Sequence, residues 1–179
     1  MTLPPFQAVL DEHRHGVHRY LVASVGIHDA NDCFQETMLA ALRAYPSLDN
    51  DNNLGGWLYT IAHRKVIDSV RARDRRPIPV DALPEHRIEL ADLGDGEVWS
   101  VIDELPPKQR TAVLLRHAAD RPYSEIAEVL DCTEAAARQN VRAGLARLRE
   151  EMRGPADRRD LSTSTVPKAG AAGPAQREH

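Results

Sequence analysis

Aromatic residues make up only 4% of this 179-residue chain, and there are just two cysteines, Cys33 and Cys132. So few thiols, far apart and without a metal-ligand spacing, exclude a disulfide framework and suit a reducing cytoplasm. No apolar run approaches the length that spans a bilayer, so direct membrane insertion is not expected. The opening "MTLPPFQAVLDEHRHG" has no basic region followed by an apolar run, the pattern of a secretion signal. Stretches of alternating β-branched and polar residues are scarce, which argues against a large sheet. Also missing are a Gly-rich phosphate loop and a Ser/His/Asp-type constellation. His13, His15 and His18 are close in sequence, but only His15 and His18 approach one helical face and no Cys or carboxylate completes a metal set. An enzyme, a resident metal and a cofactor are all unexpected.

What the chain does have is charge, 28% of its residues, and that charge is zoned. Arg64, Lys65, Arg71, Arg73, Arg75 and Arg76 crowd one stretch. Asp81, Glu85, Glu89, Asp92, Asp95, Glu97, Asp103 and Glu104 crowd the next. The net charge of −4 is too acidic for a strong non-specific DNA binder working alone, because neutralising phosphates needs a surplus of Lys and Arg.

The periodicity predicts an all-α chain of two small helical domains joined by a flexible linker. The N-terminal domain spans residues 1–76. The linker, 77–99, is acidic and contains Pro77, Pro79, Pro84, Gly94 and Gly96. A C-terminal helix-turn-helix domain spans 100–153. The tail, 154–179, has almost no large apolar residues and is expected to be disordered.

Within the first domain, Cys33, Phe34, Thr37, Met38, Ala41, Leu42 and Tyr45 form one stripe at helical spacing, expected to be buried. Pro46 stops that helix. The opposite face carries Asp32, Gln35, Glu36, Leu39 and Arg43. Either it is a solvated face with one stray leucine, or Leu39 among polar residues is a docking surface; the second reading is favoured. A following helix buries Leu58, Ile61, Ala62, Val66 and Val70. Trp57 and Tyr59 stand at its start, with His63, Arg64, Lys65 and Arg71 beyond. Aromatics beside a basic helix suit stacking on unpaired bases while cations track phosphates. For Trp57 a core position fits equally well.

In the second domain "LPPKQR" opens a helix with prolines suited to a first turn. Ala112, Val113, Leu114 and Leu115 are core candidates. Pro122 opens a short helix burying Ile126, Ala127 and Leu130. Asp131 and Cys132 make a turn, with Asp131 where a left-handed backbone is needed, and Thr133 caps a third helix. That helix buries Ala137, Val141, Leu145, Leu148 and Met152 and presents Arg138, Gln139 and Arg142. Two helices, a tight turn, and Arg and Gln near the start of the second make a helix-turn-helix. Arg pairs bidentately with guanine and Gln with adenine in the major groove.

Three motifs in order, "DANDCFQETMLAALRAY", "GGWLYTIAHRKVIDSVRARDRRP" and "LPPKQRTAVLLRHAADRPYSEIAEVLDCTEAAARQNVRAGLARLRE", resemble a bacterial extracytoplasmic-function sigma factor of RNA polymerase. The resemblance covers about residues 6–151. It implies that Asp32, Gln35, Glu36, Leu39 and Arg43 bind core polymerase. It implies that the loop 49–55 and the helix with Trp57, Tyr59, His63, Arg64, Lys65 and Arg71 meet the minus-ten promoter element. Thr133, Arg138, Gln139 and Arg142 would then serve the minus-thirty-five element. Many relatives have Asn where this chain has Arg64, and Ala135, Ala136 and Ala137 leave few side chains to read bases. The family's linker threads toward the RNA exit path, where acids could mimic nucleic acid. Core polymerase, promoter DNA and an anti-sigma protein are the implied partners, and the cytoplasm the implied compartment. The alternative is a stand-alone helix-turn-helix regulator, which explains residues 123–150 but neither the docking face nor the Trp-basic helix.

Overall fold

The computed structural model describes residues 3–75 and 96–153. Most of the expected linker and the tail from residue 154 lie outside the described residues. Among the described residues the chain is seven α-helices with no strand: α1 (Phe6–Val25), α2 (Ile27–Ala44), α3 (Leu54–Asp74), α4 (Gly96–Glu104), α5 (Pro107–His117), α6 (Tyr123–Val129) and α7 (Glu134–Met152). α4 begins inside the stretch read as linker and brings half-buried Val98, Trp99 and Val101 onto the core.

Helices α1, α2 and α3 pack against one another. Gly26, at φ 83°, both ends α1, by donating to the Val22 carbonyl, and starts α2, by accepting from Ala30. Glycine takes that backbone region at little cost, so two helices join with one residue between them. The face of α2 toward α1 is built from Ala30, Cys33, Thr37 and Ala41, all buried and all small. Small side chains at i, i+3 and i+4 spacing let helix axes approach closely. Thr37 returns its hydroxyl to the Cys33 carbonyl (2.6 Å), which satisfies the one polar group in that stripe. Val17, Tyr20 and Leu21 of α1 and Leu58 and Ala62 of α3 complete the core. Each fully buried aliphatic side chain there stabilises by about 1.5–3 kcal/mol.

Two expected core positions are exposed instead. Leu42 is 51% accessible and Met152 54%. Leu42 follows Ala41 by one position, about 100° round the helix, and that step carries it off the buried stripe. Met152 falls in the last turn of α7, past Leu148, the final buried residue of that helix. Ile61, Val66 and Leu145 are half-buried rather than enclosed.

Helices α5, α6 and α7 form the second core through Thr111 to Leu115, Ile126, Ala127, Val129, Ala137, Val141 and Leu148. Gly144 matters to this packing: a Cβ there would lie 2.7 Å from a Val113 methyl. The two domains are packed together, α3 against α6 and α1 against α5.

Candidate docking face and nucleic-acid interface

The small buried stripe of α2 leaves its other side open. Asp32, Gln35, Glu36, Leu39 and Arg43 are all exposed there, and Leu42 joins them. Leu39 and Leu42, 52% and 51% accessible, stand three positions apart on one face rimmed by charge. A pair of exposed leucines in a polar rim is the composition of a contact surface. Glu36 accepts from Lys65 of α3 at 3.0 Å, so the candidate docking face and the candidate DNA face meet at one ion pair. Asp29 and Arg73 make a second link between the same helices, at 2.5 Å.

The six residues singled out on α3 divide by environment. Trp57, Arg64 and Arg71 recur every seven positions and so share a face. Arg64 and Arg71 are exposed. Trp57 is half-buried, with its ring 6.0 Å from that of Tyr45, so it is partly core and partly accessible. His63 is half-buried, its Nδ1 2.9 Å from the Tyr20 hydroxyl, and burial lowers its pKa below the usual histidine value. Lys65 is held by Glu36. Tyr59 is different: it is wholly buried, and in this arrangement it cannot stack on a base. Its ring packs edge-on against Tyr20 and lies under the Arg121 guanidinium, 5.1 Å from the centroid. Burial pushes its phenol up to about 12, and its hydroxyl has no hydrogen-bond partner. Sequence pattern placed Tyr59 beside the basic run; the covering C-terminal domain removes it from the surface.

Loop 49–55 leads into α3. Asn53, at φ 70°, caps the helix by accepting from the Gly56 amide at 2.9 Å. Asn tolerates the left-handed region better than most residues.

The helix-turn-helix is α6, a turn and α7. Asp131, at φ 48°, is left-handed as expected. Its amide donates to the Glu128 carbonyl and that of Cys132 to the Ala127 carbonyl. This pair of bonds is the Schellman closure, here with Asp in place of the usual Gly. The Thr133 hydroxyl accepts from Ala136 at 3.2 Å, so its oxygen is engaged as the cap of α7. Arg138, Gln139 and Arg142 are exposed. Arg138 pairs with Glu134 and lies over the Tyr123 ring, 5.2 Å from its centroid; Arg116 lies 5.3 Å from the same ring. No local sequence signal marks Tyr123 and Arg116, because only the packing of α5 and α7 against α6 brings them together.

Cys33 is buried and Cys132 half-buried, both free, and burial raises the Cys33 thiol. Among the described residues no group of three or more His, Cys, Asp or Glu side chains could hold a metal ion. Nor is any described helix long and apolar enough to cross a membrane.

Residues 9–76 match Sigma-70 region 2, and residues 95–148 match Sigma-70, region 4. The ECF RNA polymerase sigma factor SigC of Mycobacterium tuberculosis (strain CDC 1551 / Oshkosh) is 30% identical over 162 residues, which cover 87% of this chain and 85% of that protein. The chain belongs to the ECF RNA polymerase sigma factors. Two further members are also similar to this sigma factor. The ECF RNA polymerase sigma-E factor of Haemophilus influenzae is 27% identical over 153 residues, 76% of this chain and 81% of that protein. SigE of Mycolicibacterium smegmatis is 28% identical, and the matched region spans 62% of its length. The fold is shared with RpoE of Bartonella quintana, solved with the anti-sigma factor NepR (TM-score 0.65, 20% identity, 86% of this chain and 99% of that one). It is shared too with CnrH, solved with the cytosolic domain of CnrY (TM-score 0.66, 22% identity, 82% of this chain and 86% of that one). The stand-alone regulator is not favoured, because both the region 2 and the region 4 matches are present and in order.

Proposed function

We propose that this sigma factor binds core RNA polymerase through the α2 face of Asp32, Gln35, Glu36, Leu39 and Arg43, now extended by Leu42. The observation carrying this reading is the open pair Leu39 and Leu42 within a charged rim, on a helix whose other side is fully used by the core. Arg64 and Arg71, with Lys65, His63 and the accessible edge of Trp57, would meet the minus-ten element beside loop 49–55. Arg138, Gln139 and Arg142 would enter the major groove at the minus-thirty-five element, with Thr133 setting the start of their helix. The protein works by binding, without a cofactor and without catalysing a reaction of its own, in the cytoplasm. Trapping unpaired bases would offset an unstacking cost of a few kcal/mol.

Purified protein should co-elute with bacterial core polymerase and yield new transcripts from a genomic promoter library. The double change Gln35→Ala, Glu36→Ala should weaken both. Tight binding to duplex DNA with no binding to core would overturn this reading.

An anti-sigma partner belongs to the same proposal. A groove of about 620 Å³ between the domains has an apolar floor that includes Val22, Ile27, Trp99 and Ile102, with His18 and Arg19 beside it. That composition suits the apolar face of an amphipathic, acidic segment. Ala23→Arg, on the groove wall, is expected to weaken capture by such a partner while leaving co-elution with core unchanged. Equal loss of both would count against the groove.

A further inference from the structure

The start of α3 is occupied by the chain's own C-terminal domain. The Asn53 side-chain amide is used at both ends. Its oxygen caps α3, and its nitrogen donates at 2.6 Å to Glu128 Oε2, which lies 75 positions on in α6. The two glycines that open α3 admit this approach. A Cβ on Gly55 would lie 3.2 and 3.3 Å from the two Glu125 carboxylate oxygens, and one on Gly56 would lie 2.6 Å from Glu128 Oε2. One turn further on, Arg121 covers Tyr59.

We propose that Glu125 and Glu128 are built-in occupants of the base-reading loop, so that the free chain closes on itself and unpaired DNA must displace α6 to reach Asn53. The inference rests on the proposed role of loop 49–55 and of α3, and it adds a competitor for that site within the same chain. Three features support competition. The Asn53 donor, the group a base edge or phosphate oxygen would use, is already taken by Glu128. Two carboxylates at the loop repel the phosphates of an approaching strand. The contact is also imperfectly satisfied and therefore able to open. The Tyr59 hydroxyl is buried without a hydrogen-bond partner, and buried Glu125 Oε2 has only a loose ion pair with Arg121 Nη1 at 3.6 Å. A buried hydroxyl without a partner favours the state that rehydrates it.

Glu128 is exposed, so replacing it leaves the core intact. The test uses the full chain as wild type, Glu128→Ala and Glu128→Gln. Small-angle scattering reads the radius of gyration, and fluorescence anisotropy reads binding to a labelled random single-stranded DNA pool. Glu128→Ala is expected to enlarge the radius and tighten DNA binding by on the order of tenfold, the effect of losing a hydrogen bond to a charged group. Glu128→Gln, which keeps an acceptor for Asn53, should fall between. An unchanged radius in Glu128→Ala, or a larger radius with unchanged DNA affinity, would overturn the proposal. Adding Arg64→Ala, Lys65→Ala to Glu128→Ala separates it from the reading beneath it. Loss of the gained affinity supports both. A larger radius with DNA binding indifferent to Arg64 and Lys65 would overturn the α3 assignment, and the competition with it, while leaving the closure itself established by scattering.

Discussion

The Tyr20 hydroxyl and His63 Nδ1 lie 2.9 Å apart, joining a buried residue of α1 to the basic helix α3. Tyr20 is itself fully enclosed, and burial raises its phenol, so it remains a neutral hydroxyl at any ordinary pH. The bond fixes the plane of the His63 ring and engages one of its two nitrogens. The half-buried face of α3 therefore inherits its geometry from the domain core rather than from solvent.

Burial lowers the His63 pKa, and a pH dependence follows. The unfolded chain takes up this proton first as pH falls below the ordinary histidine value. The neutral ring's contribution is thus present above about pH 6.5 and is lost as pH falls through the depressed folded value. His13 is shifted the same way, again chiefly by burial. Glu125 opposes them: burial raises its pKa, so its ionisation costs stability as pH rises through that value. His63→Gln should therefore flatten the fall in Tm as pH drops below about 6.5, and Glu125→Gln should remove a stabilisation that is fully present only below about pH 4.5. Parallel Tm curves for wild type and His63→Gln would refute the His63 assignment.

Leu39→Asp with Leu42→Asp removes the apolar centre of the α2 face without touching the core. Helix content and Tm should stay near wild type, since both side chains are exposed. Affinity for core polymerase should fall by roughly thirtyfold or more if this pair is the centre of the interface. Co-elution and surface-plasmon measurements read the two effects separately.

Tyr123 holds Arg138 through a cation–π contact. Such a contact at an exposed site is worth about 0.5–1 kcal/mol, or roughly two- to fivefold in affinity. Tyr123→Leu should weaken holoenzyme binding to a selected promoter duplex by that factor, whereas Tyr123→Phe, which keeps the ring, should not. Equal losses in the two variants would assign the effect to the hydroxyl instead.

Thr133→Ala removes the side-chain cap of α7. The expected cost is about 1 kcal/mol, seen as a Tm lower by a few degrees. Thr133→Ser should restore most of it. A Tm unchanged by Thr133→Ala would show that water caps the helix equally well.

Local chemistry made the helices legible. Thr133 caps because a hydroxyl there reaches Ala136, and Asp131 turns because its backbone tolerates positive φ. Helical spacing identified Cys33, Thr37 and Ala41 as core and Asp32, Gln35, Glu36 and Leu39 as surface, since both sets recur with the period of the helix. Periodicity assigns the middle of a stripe well and its edges poorly, because an edge residue is buried only if a neighbouring helix reaches it. Leu42 and Met152 went unreached.

Amino-acid order alone therefore settled the helical class, the two-domain arrangement, the turn chemistry and, Leu42 apart, the split between core and open face on α2. All of these depend on residues within a few positions of one another. The burial of Tyr59, the Asn53–Glu128 bond and the stacking of Arg116 and Arg138 on Tyr123 were decided only when the helices packed. No local period encodes a contact across 75 positions; it exists because the surface of one domain meets that of the other.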